Sequence, residues 1–270
     1  MFSYKGAVFS LRNFDSGVVG MLETLDSLES FQIRDDDIFI VTFPKSGKVQ
    51  FRLQYLISIL YEDDHPEMLD KATYKCVPWL EKSPRMFCTH LQEHMVPRRL
   101  QSNKGKVIYV MRNPKDVLMS YFHFSKMANI IETGRILGGC WFDHIKGWFN
   151  NKDKYNILFV SYEEMIMNLR SVVMNVSKFV GKSLSDVDVD KIMERVTFKN
   201  MKTDPKANYE PTIPRDILDL SKGTFMRKGT IGDWRNSLTV AQSERFDQVY
   251  QERMRNLPLQ FIWDVKELHG

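Results

Sequence analysis

The sequence predicts an α/β protein with a central parallel sheet flanked by helices. Three segments each combine a short apolar strand, a tight turn and a helix. The strands are predicted at residues 37–43, 106–111 and 157–160, and the helices at 51–61, 117–124 and 162–181. Strands that alternate with helices are typical of a parallel sheet. In such sheets ligands bind beyond the carboxyl ends of the strands, so the turns there are the candidate site.

The first strand and helix are predicted from their apolar character. Residues 37–43 form a nearly continuous run of β-branched and aromatic side chains, which is typical of a strand buried on both faces. Residues 44–47 form a turn, and residues 51–61 are largely apolar and long enough for a buried helix.

The second and third units carry recognisable helix starts. Pro114 follows the second strand and suits the first position of a helix. Ser161 follows the third strand as an N-cap, with two glutamates in the first turn. One stripe of apolar side chains continues this third helix until it ends near Gly181; the stripe comprises Met165, Leu169, Val172, Val176 and Phe179.

The C-terminal part differs from these units. Residues 217–236 contain glycines 223, 229 and 232 around a basic pair, which predicts an ordered binding loop. Residues 239–255 predict a closing helix. Because neither an internal repeat nor a linker is visible, we expect one domain that spans residues 1–270.

Composition excludes several classes of protein. Of the 270 residues, 43% are hydrophobic and 27% charged, which excludes a disordered or low-complexity chain. The net charge of +4 is too small to require a nucleic-acid partner. Cys76, Cys88 and Cys140 are widely spaced, so neither a disulfide framework nor a structural zinc site is expected. No signal pattern or membrane-spanning run is visible, and we expect a cytoplasmic protein without a membrane partner.

The turn after the first strand predicts an anion site. Backbone N–H groups at a turn and helix start form an anion cradle, to which Lys45 adds charge, Ser46 a hydroxyl donor and Gly47 access to the backbone. The alternative is an ordinary strand–helix turn. A kinase-like P-loop is disfavoured, because no glycine opens the turn and Val49 stands where Ser or Thr would hold magnesium.

Two further segments carry basic side chains. Arg112 follows the second strand, Ser120 lies eight residues later, and Arg227 and Lys228 precede Gly229. Arginine forms forked contacts with phosphate oxygens, and lysine supplies a point charge. Each residue alone is typical of a solvated surface, but together with the Lys45 turn they indicate a ligand with two anionic groups.

The residues His90 and His94 raise a competing prediction. Residues 90–94 spell H-x-x-E-H, a zinc-peptidase pattern that requires both histidines on one helix face. Residues 86–89 predict a strand instead, and Pro97 limits any helix that follows. We therefore disfavour zinc chemistry and expect no metal.

Three sequence blocks resemble the cytosolic sulfotransferases. They are residues 43–47, 109–120 and 225–234, which occur in family order and at roughly family spacing. The resemblance covers nearly the whole chain. Residues 121–126, 141–145 and 257–264 look closest to the amine sulfotransferase branch.

The resemblance implies the donor 3′-phosphoadenylyl sulfate (PAPS), the product 3′-phosphoadenosine 5′-phosphate (PAP) and transfer of a sulfuryl group to a hydroxyl or amine. The acceptor would be a small aromatic amine, phenol or alcohol. The residues implied to bind the donor are Lys45, Ser46, Gly47, Lys48, Arg112, Ser120, Tyr162, Val196, Thr197, Phe198, Met201, Phe225, Met226, Arg227, Lys228 and Gly229. Within this set, Lys45 to Gly47 would hold the 5′-phosphosulfate, and Arg112, Ser120, Arg227, Lys228 and Gly229 the 3′-phosphate.

The resemblance also implies catalytic roles. His90 matches the family's catalytic histidine and would take the acceptor's proton as general base, a role that suits an imidazole near neutral pH. Lys45 and Ser120 would assist transfer. Phe198 would stack on the adenine ring.

The chain departs from the family after Gly47. The family has Thr-Thr-Trp or a close variant there, whereas residues 48–50 are Lys-Val-Gln. Two acceptor-side segments, residues 80–84 and 130–140, look short. These differences leave open a catalytically weak or inactive nucleotide-binding paralogue, or an altered coding segment after Gly47.

A short C-terminal pattern predicts self-association. Arg235, Thr239, Val240 and Glu244 resemble the family's K-x-x-x-T-V-x-x-x-E dimer motif, with arginine in place of lysine. A short self-complementary segment would form a two-fold contact, so we expect a homodimer. The alternative is an exposed helix start capped by Thr239.

Overall fold

The computed structural model describes residues 2–4, 7–9, 30–46, 49–62, 85–102, 104–128, 138–204, 207–208, 215, 218–224 and 227–264. Four parallel strands form its central sheet: β3 (Ile38–Thr42), β4 (Met86–Thr89), β5 (Lys106–Met111) and β6 (Ile157–Ser161), in the order β4-β3-β5-β6. Two short strands, β1 (Phe2–Tyr4) and β2 (Ala7–Phe9), form a separate antiparallel pair. The predicted α/β class with a parallel sheet is confirmed.

Helices connect and cover the sheet. The α-helices are α1 (Val49–Leu60), α2 (Pro114–Met127), α3 (Trp141–Asn150), α4 (Tyr162–Met167), α5 (Leu169–Val180), α6 (Asp186–Arg195), α7 (Phe198–Thr203) and α8 (Val240–Met254). Short 3₁₀ helices span Glu93–Met95, Arg98–Ser102, Lys152–Lys154, Leu220–Lys222 and Asp233–Asn236.

Alternate side chains of the central strands enter two separate cores. In β3, Ile38 and Ile40 belong to a core that includes residues of α1, α5 and α6. Phe39 and Val41 point the other way, into a core with α3 and the C-terminal segment. Because successive strand side chains face opposite sides of a sheet, this division explains the continuous apolar run.

The predicted helix starts are confirmed, and one predicted helix is wrong. Pro114 opens α2, and the Asn113 side chain accepts a hydrogen bond from the Asp116 amide. Ser161 caps α4 in a reciprocal capping box with Glu164. The single helix expected to end near Gly181 is two helices, because Asn168 leaves helical geometry and its side chain caps α5.

Among the helices of the described residues, none is both long and apolar enough to cross a membrane.

Candidate active site

The carboxyl ends of all four parallel strands carry candidate side chains. Lys45 and Ser46 follow β3, His90 follows β4, Arg112 follows β5 and Tyr162 follows β6. Because the strands are parallel and adjacent, these residues gather at one edge of the sheet, as the sequence predicted.

His90 is oriented by the end of β3. Its Nδ1 lies 2.7 Å from the carbonyl oxygen of Thr42. A carbonyl only accepts hydrogen bonds, so Nδ1 carries the proton and donates it, and Nε2 keeps its lone pair. Although the side chain reaches solvent, the surrounding protein atoms lower the pKa of His90. The bond to Thr42 opposes this shift and repulsion by Lys45 adds to it, so the ring is neutral at pH 7.

Lys45 occupies the turn in a left-handed backbone conformation, with a φ angle of 66°. Such a conformation is uncommon for a residue with a side chain and indicates a turn held by its surroundings. Its Nζ lies 4.0 Å from the centroid of the Phe124 ring on α2. Burial lowers the pKa of Lys45 to about 7, and repulsion by Arg112 adds to this shift.

Two buried donors in this region lack a hydrogen-bond partner within the described chain. Ser46 is 1% exposed, and its Oγ makes no hydrogen bond. The Nε of Arg112 is also buried and unbonded. Unsatisfied buried polar atoms are rare in native proteins, and they indicate a missing partner such as a ligand.

Arg112 connects the strand end to two other parts of the chain. Its guanidinium lies 4.1 Å from the centroid of the Tyr162 ring at the start of α4. One terminal nitrogen donates to the carbonyl oxygen of Thr230 at 3.2 Å and lies 3.4 Å from the Asp116 carboxylate. The structure therefore places Arg112 beside the loop that carries Arg227 to Gly229.

Asp116 fixes that loop to the start of α2. Its buried carboxylate accepts hydrogen bonds from the backbone amides of Gly232 at 2.9 Å and Trp234 at 3.1 Å. Ser120 and Phe124 follow Asp116 at intervals of four residues, on the same side of α2. This side of α2 therefore runs from the Arg112 region to the Lys45 turn, with half-buried Ser120 between them.

The basic pair shares one acidic partner. Arg227 and Lys228 both contact the carboxylate of buried Asp233, Lys228 at 2.6 Å. Burial alone would raise the pKa of Asp233, but the hydrogen bonds from Lys228 and Arg227 outweigh it and hold the pKa at about 2. The charged carboxylate thus draws both cations together.

Gly229 and Phe198 are in close contact. Gly229 has a φ angle of 73°, and a Cβ atom there would lie 2.8 Å from the Phe198 ring. Phe198 begins α7, which Thr197 caps through a hydrogen bond to the Asn200 amide. Val196 and Met201 are buried in the same core as Tyr162. The structure therefore brings Gly229 next to Phe198 and places Tyr162, Val196 and Met201 in one core, while Gly47, Lys48, Phe225 and Met226 lie outside the described residues.

Sequence reasoning missed several residues of the site. Asp116 and Asp233 orient its cations, yet both act on partners through contacts that no local periodicity reveals.

His144 is also part of this region. It is fully buried, and its Nδ1 lies 2.8 Å from the Tyr109 hydroxyl. Burial lowers the pKa of His144 to about 3, with a further contribution from His90. The only available signal was its place in the block at residues 141–145 that resembles the amine sulfotransferases.

The H-x-x-E-H pattern has a structural explanation. His90 follows a strand, and Glu93 and His94 lie in a 3₁₀ turn instead of an α-helix. Glu93 is buried and accepts a hydrogen bond from the Tyr155 hydroxyl at 2.6 Å. In the described part of the chain, no group of three or more His, Cys, Asp or Glu residues could hold a metal ion.

Known proteins are similar to this chain in sequence and in fold. Residues 35–258 match the family described as Sulfotransferase domain. The amine sulfotransferase of Oryctolagus cuniculus is 43% identical, over 94% of this chain and 92% of that protein. Sulfotransferase 2B1 of Homo sapiens is 36% identical, over 97% of this chain and 76% of that protein.

Solved structures agree with these relatives. The crystal structure of mouse sulfotransferase SULT7A1 complexed with PAP is similar, with a TM-score of 0.72 and 30% identity over 95% of this chain and 96% of that chain. A retinol dehydratase in complex with retinol and PAP has the same fold, with a TM-score of 0.77 and 19% identity over 91% of each chain. The fold, the edge of the sheet and the sequence matches together show that this chain belongs to the sulfotransferase family.

Proposed function

We propose that this enzyme transfers the sulfuryl group of PAPS to the amine or hydroxyl of a small aromatic acceptor, with His90 as general base. The observation that carries this proposal is the meeting of a neutral histidine, a lysine and two unbonded buried donors at one sheet edge. PAP in the similar mouse structure and the name of the rabbit relative support the donor and the amine acceptor.

The residues at this edge fit an anionic nucleotide. The Oγ of Ser46 and the Nε of Arg112 are buried donors without a hydrogen-bond partner in the described chain. Phosphate oxygens would accept hydrogen bonds from both. We assign Lys45 and Ser46 to the 5′-phosphosulfate, and Arg112, Ser120 and the loop of Arg227 to Gly229 to the 3′-phosphate. We assign Tyr162, Phe198 and the buried residues beside them, Val196, Thr197 and Met201, to the adenine.

The bound donor supplies an activated sulfuryl group. His90 would then act at the acceptor: Nδ1–H stays bonded to the Thr42 carbonyl, which holds the ring in place while Nε2 accepts the acceptor's proton. The low pKa keeps this nitrogen unprotonated before reaction.

Lys45 and Arg112 would supply positive charge where negative charge develops. Transfer of a sulfuryl group resembles phosphoryl transfer, in which positioning and charge neutralisation provide most of the catalysis. Asp116 would hold the loop that contains Arg227 in place, and Asp233 would keep Arg227 and Lys228 side by side.

Calorimetry with PAP tests the donor site. We expect wild-type protein to bind PAP and Arg112→Ala to bind it at least about tenfold more weakly, since a hydrogen-bonded charge contributes about 1.5–3 kcal/mol. Arg170→Ala is the control, because Arg170 is paired with Asp186 and Asp190 and touches none of the proposed donor residues. A folded wild-type protein that does not bind PAP would contradict the proposal.

We also propose that residues 1–270 form one domain and that this domain forms a homodimer through Arg235, Thr239, Val240 and Glu244. Val240 supports the dimer, because it is apolar and 75% exposed at the start of α8. Arg235 contacts Asp264 at 2.8 Å within the same chain, and Thr239 caps α8. Contacts within the chain therefore hold Arg235 and Thr239 in place, and the exposed side chain of Val240 is available to contact a second copy.

A further inference from the structure

A buried arginine on α1 joins two parts of the chain that are distant in sequence. Arg52 is 9% exposed. Its Nε donates to the carbonyl oxygen of Val196, and one terminal nitrogen donates to the carbonyl oxygen of Met165 at 3.1 Å. Both acceptors are backbone carbonyl oxygens. Arg52 therefore fixes the position of the main chain at Val196 and Met165, whatever side chains these residues carry.

No acidic side chain compensates this charge within the described residues, where Arg52 forms no salt bridge. Burial lowers the pKa of Arg52, with an opposing contribution from the nearby Tyr162 hydroxyl. Burying a cation without an ionic partner costs free energy. A neutral residue that filled the same space would avoid this cost, so Arg52 is better explained by the two segments it joins than by a gain in stability.

The two carbonyls belong to the two segments that carry the proposed adenine residues Tyr162 and Phe198, here called the walls of the adenine site. Met165 lies in α4, within one turn of Tyr162. Val196 directly precedes Thr197, which caps α7, and Phe198, which begins it. Two hydrogen bonds from one rigid guanidinium therefore set the spacing between the Tyr162 wall and the Phe198 wall.

We propose that Arg52 is a positioning residue that holds these two walls at the separation adenine requires. The proposal rests on the function proposed above. Residues 48–50 are Lys-Val-Gln and carry no aromatic ring, so contact with the base falls to the rings of Phe198 and Tyr162, one on each wall. Arg52 lies on the helix that begins directly after this turn, and it fixes the backbone beside Phe198. Helix α1 therefore follows the turn that carries Lys45 and Ser46, and through Arg52 it also fixes the backbone of the proposed adenine site.

Base selectivity distinguishes this role from general support of the fold. The experiment measures binding of PAP and of guanosine 3′,5′-bisphosphate by calorimetry to the full-length protein. In Arg52→Ala we expect PAP affinity to fall about tenfold or more, because loss of the two hydrogen bonds that hold the walls leaves the base site less well ordered before PAP binds. We also expect the preference for adenine over guanine to shrink, because phosphate contacts serve both nucleotides equally.

Arg195→Ala is the matched control. Arg195 is adjacent to Val196 and joins α6 to the end of α1 through Glu62, but it touches neither carbonyl. We expect its preference for adenine to equal that of wild type. Equal losses of selectivity in both variants would overturn the proposal, because they would show a general effect of loosening α1.

Arg52→Lys keeps the charge but cannot donate to both carbonyls from one planar group. We expect it to fold and to lose part of the preference for adenine, so it decides the question if Arg52→Ala does not fold. Wild-type affinity and selectivity in a folded Arg52→Ala or Arg52→Lys would overturn the inference while leaving the proposed function intact. Absence of PAP binding in wild type would instead remove the proposed function itself.

Discussion

The protonation states of single residues set what the site can do. His90 is neutral because the protein around it disfavours a charged ring, and its bond to Thr42 fixes which nitrogen is available. Lys45 titrates near neutrality because it is buried and faces Arg112. The site therefore combines a neutral histidine with a lysine whose pKa lies near neutral pH, so that its charge would respond to a bound anion.

Replacement of His90 tests the base. In His90→Asn we expect kcat to fall by about 10²- to 10⁴-fold, the usual contribution of general acid–base catalysis, while PAP affinity stays unchanged. Steady-state kinetics and calorimetry measure the two quantities. His94→Asn is the control, since His94 belongs to the same H-x-x-E-H segment but lies four residues away with an exposed side chain. A His90→Asn enzyme with wild-type kcat would exclude His90 as the base.

The lowered pKa of Lys45 predicts that the protein takes up a proton when PAP binds. The pKa of Lys45 is lowered to about 7, and a nearby anion would favour the charged amine and raise this pKa. At pH 8 an unprotonated Lys45 should therefore take up a proton on binding, and PAP affinity should fall as the pH rises above 7. Calorimetry in buffers of different ionisation enthalpy measures this uptake. Lys45→Arg should abolish it, because arginine is charged throughout; uptake that persists would assign the proton to another group.

At the scale of elements, the strands were easier to predict than the helix breaks. The run at residues 37–43 fixed β3 to within about a residue at each end, because a doubly buried strand must be apolar throughout. The break at Asn168 was missed, because the apolar stripe continues through it and only the capping preference of asparagine marked it. Contacts such as that of Asp116 with Gly232 join residues more than 100 positions apart, and no local pattern encodes them.

The contact between Phe198 of α7 and Gly229 predicts the effect of adding a single methyl group at position 229. In Gly229→Ala the backbone is strained at φ 73°, and the new Cβ would clash with Phe198. We expect a stability loss of about 1–2 kcal/mol from the conformation and, in addition, about tenfold weaker PAP binding as the ring moves.

Gly181→Ala is the control for this strain. Gly181 ends α5 at φ 92°, but a Cβ there would meet only the Lys106 amine at 3.8 Å. We expect a similar stability loss without a change in PAP affinity, as measured by thermal unfolding and calorimetry. If both variants bind PAP as wild type does, the contact of Phe198 with Gly229 is irrelevant to the nucleotide.

At the scale of the whole molecule, two cores support one functional edge. The sheet separates a core with α1, α5 and α6 from a core with α3 and the C-terminal segment. The four parallel strands end at the same carboxyl edge, so residues from distant parts of the chain meet there. The resemblance to the family named most of these residues as candidates, whereas the contacts of Asp116, Asp233 and Arg52 required the structure.

Self-association is predicted at this scale. In Val240→Glu a charge replaces the exposed apolar side chain, and we expect a dimer to become a monomer in analytical ultracentrifugation. Val187→Glu is the control, because Val187 is also apolar and exposed but lies on α6. A wild-type monomer, or an equal effect of both variants, would contradict the proposed interface.

Detection of sulfuryl transfer tests the proposed function directly. Purified full-length protein is incubated with PAPS and a panel of phenols and aromatic amines, and sulfated products are detected by mass spectrometry. We expect product from at least one acceptor with wild type and a loss of that product with His90→Asn. Protein that binds PAP yet sulfates no acceptor in the panel would contradict the proposed transfer and would favour the nucleotide-binding paralogue.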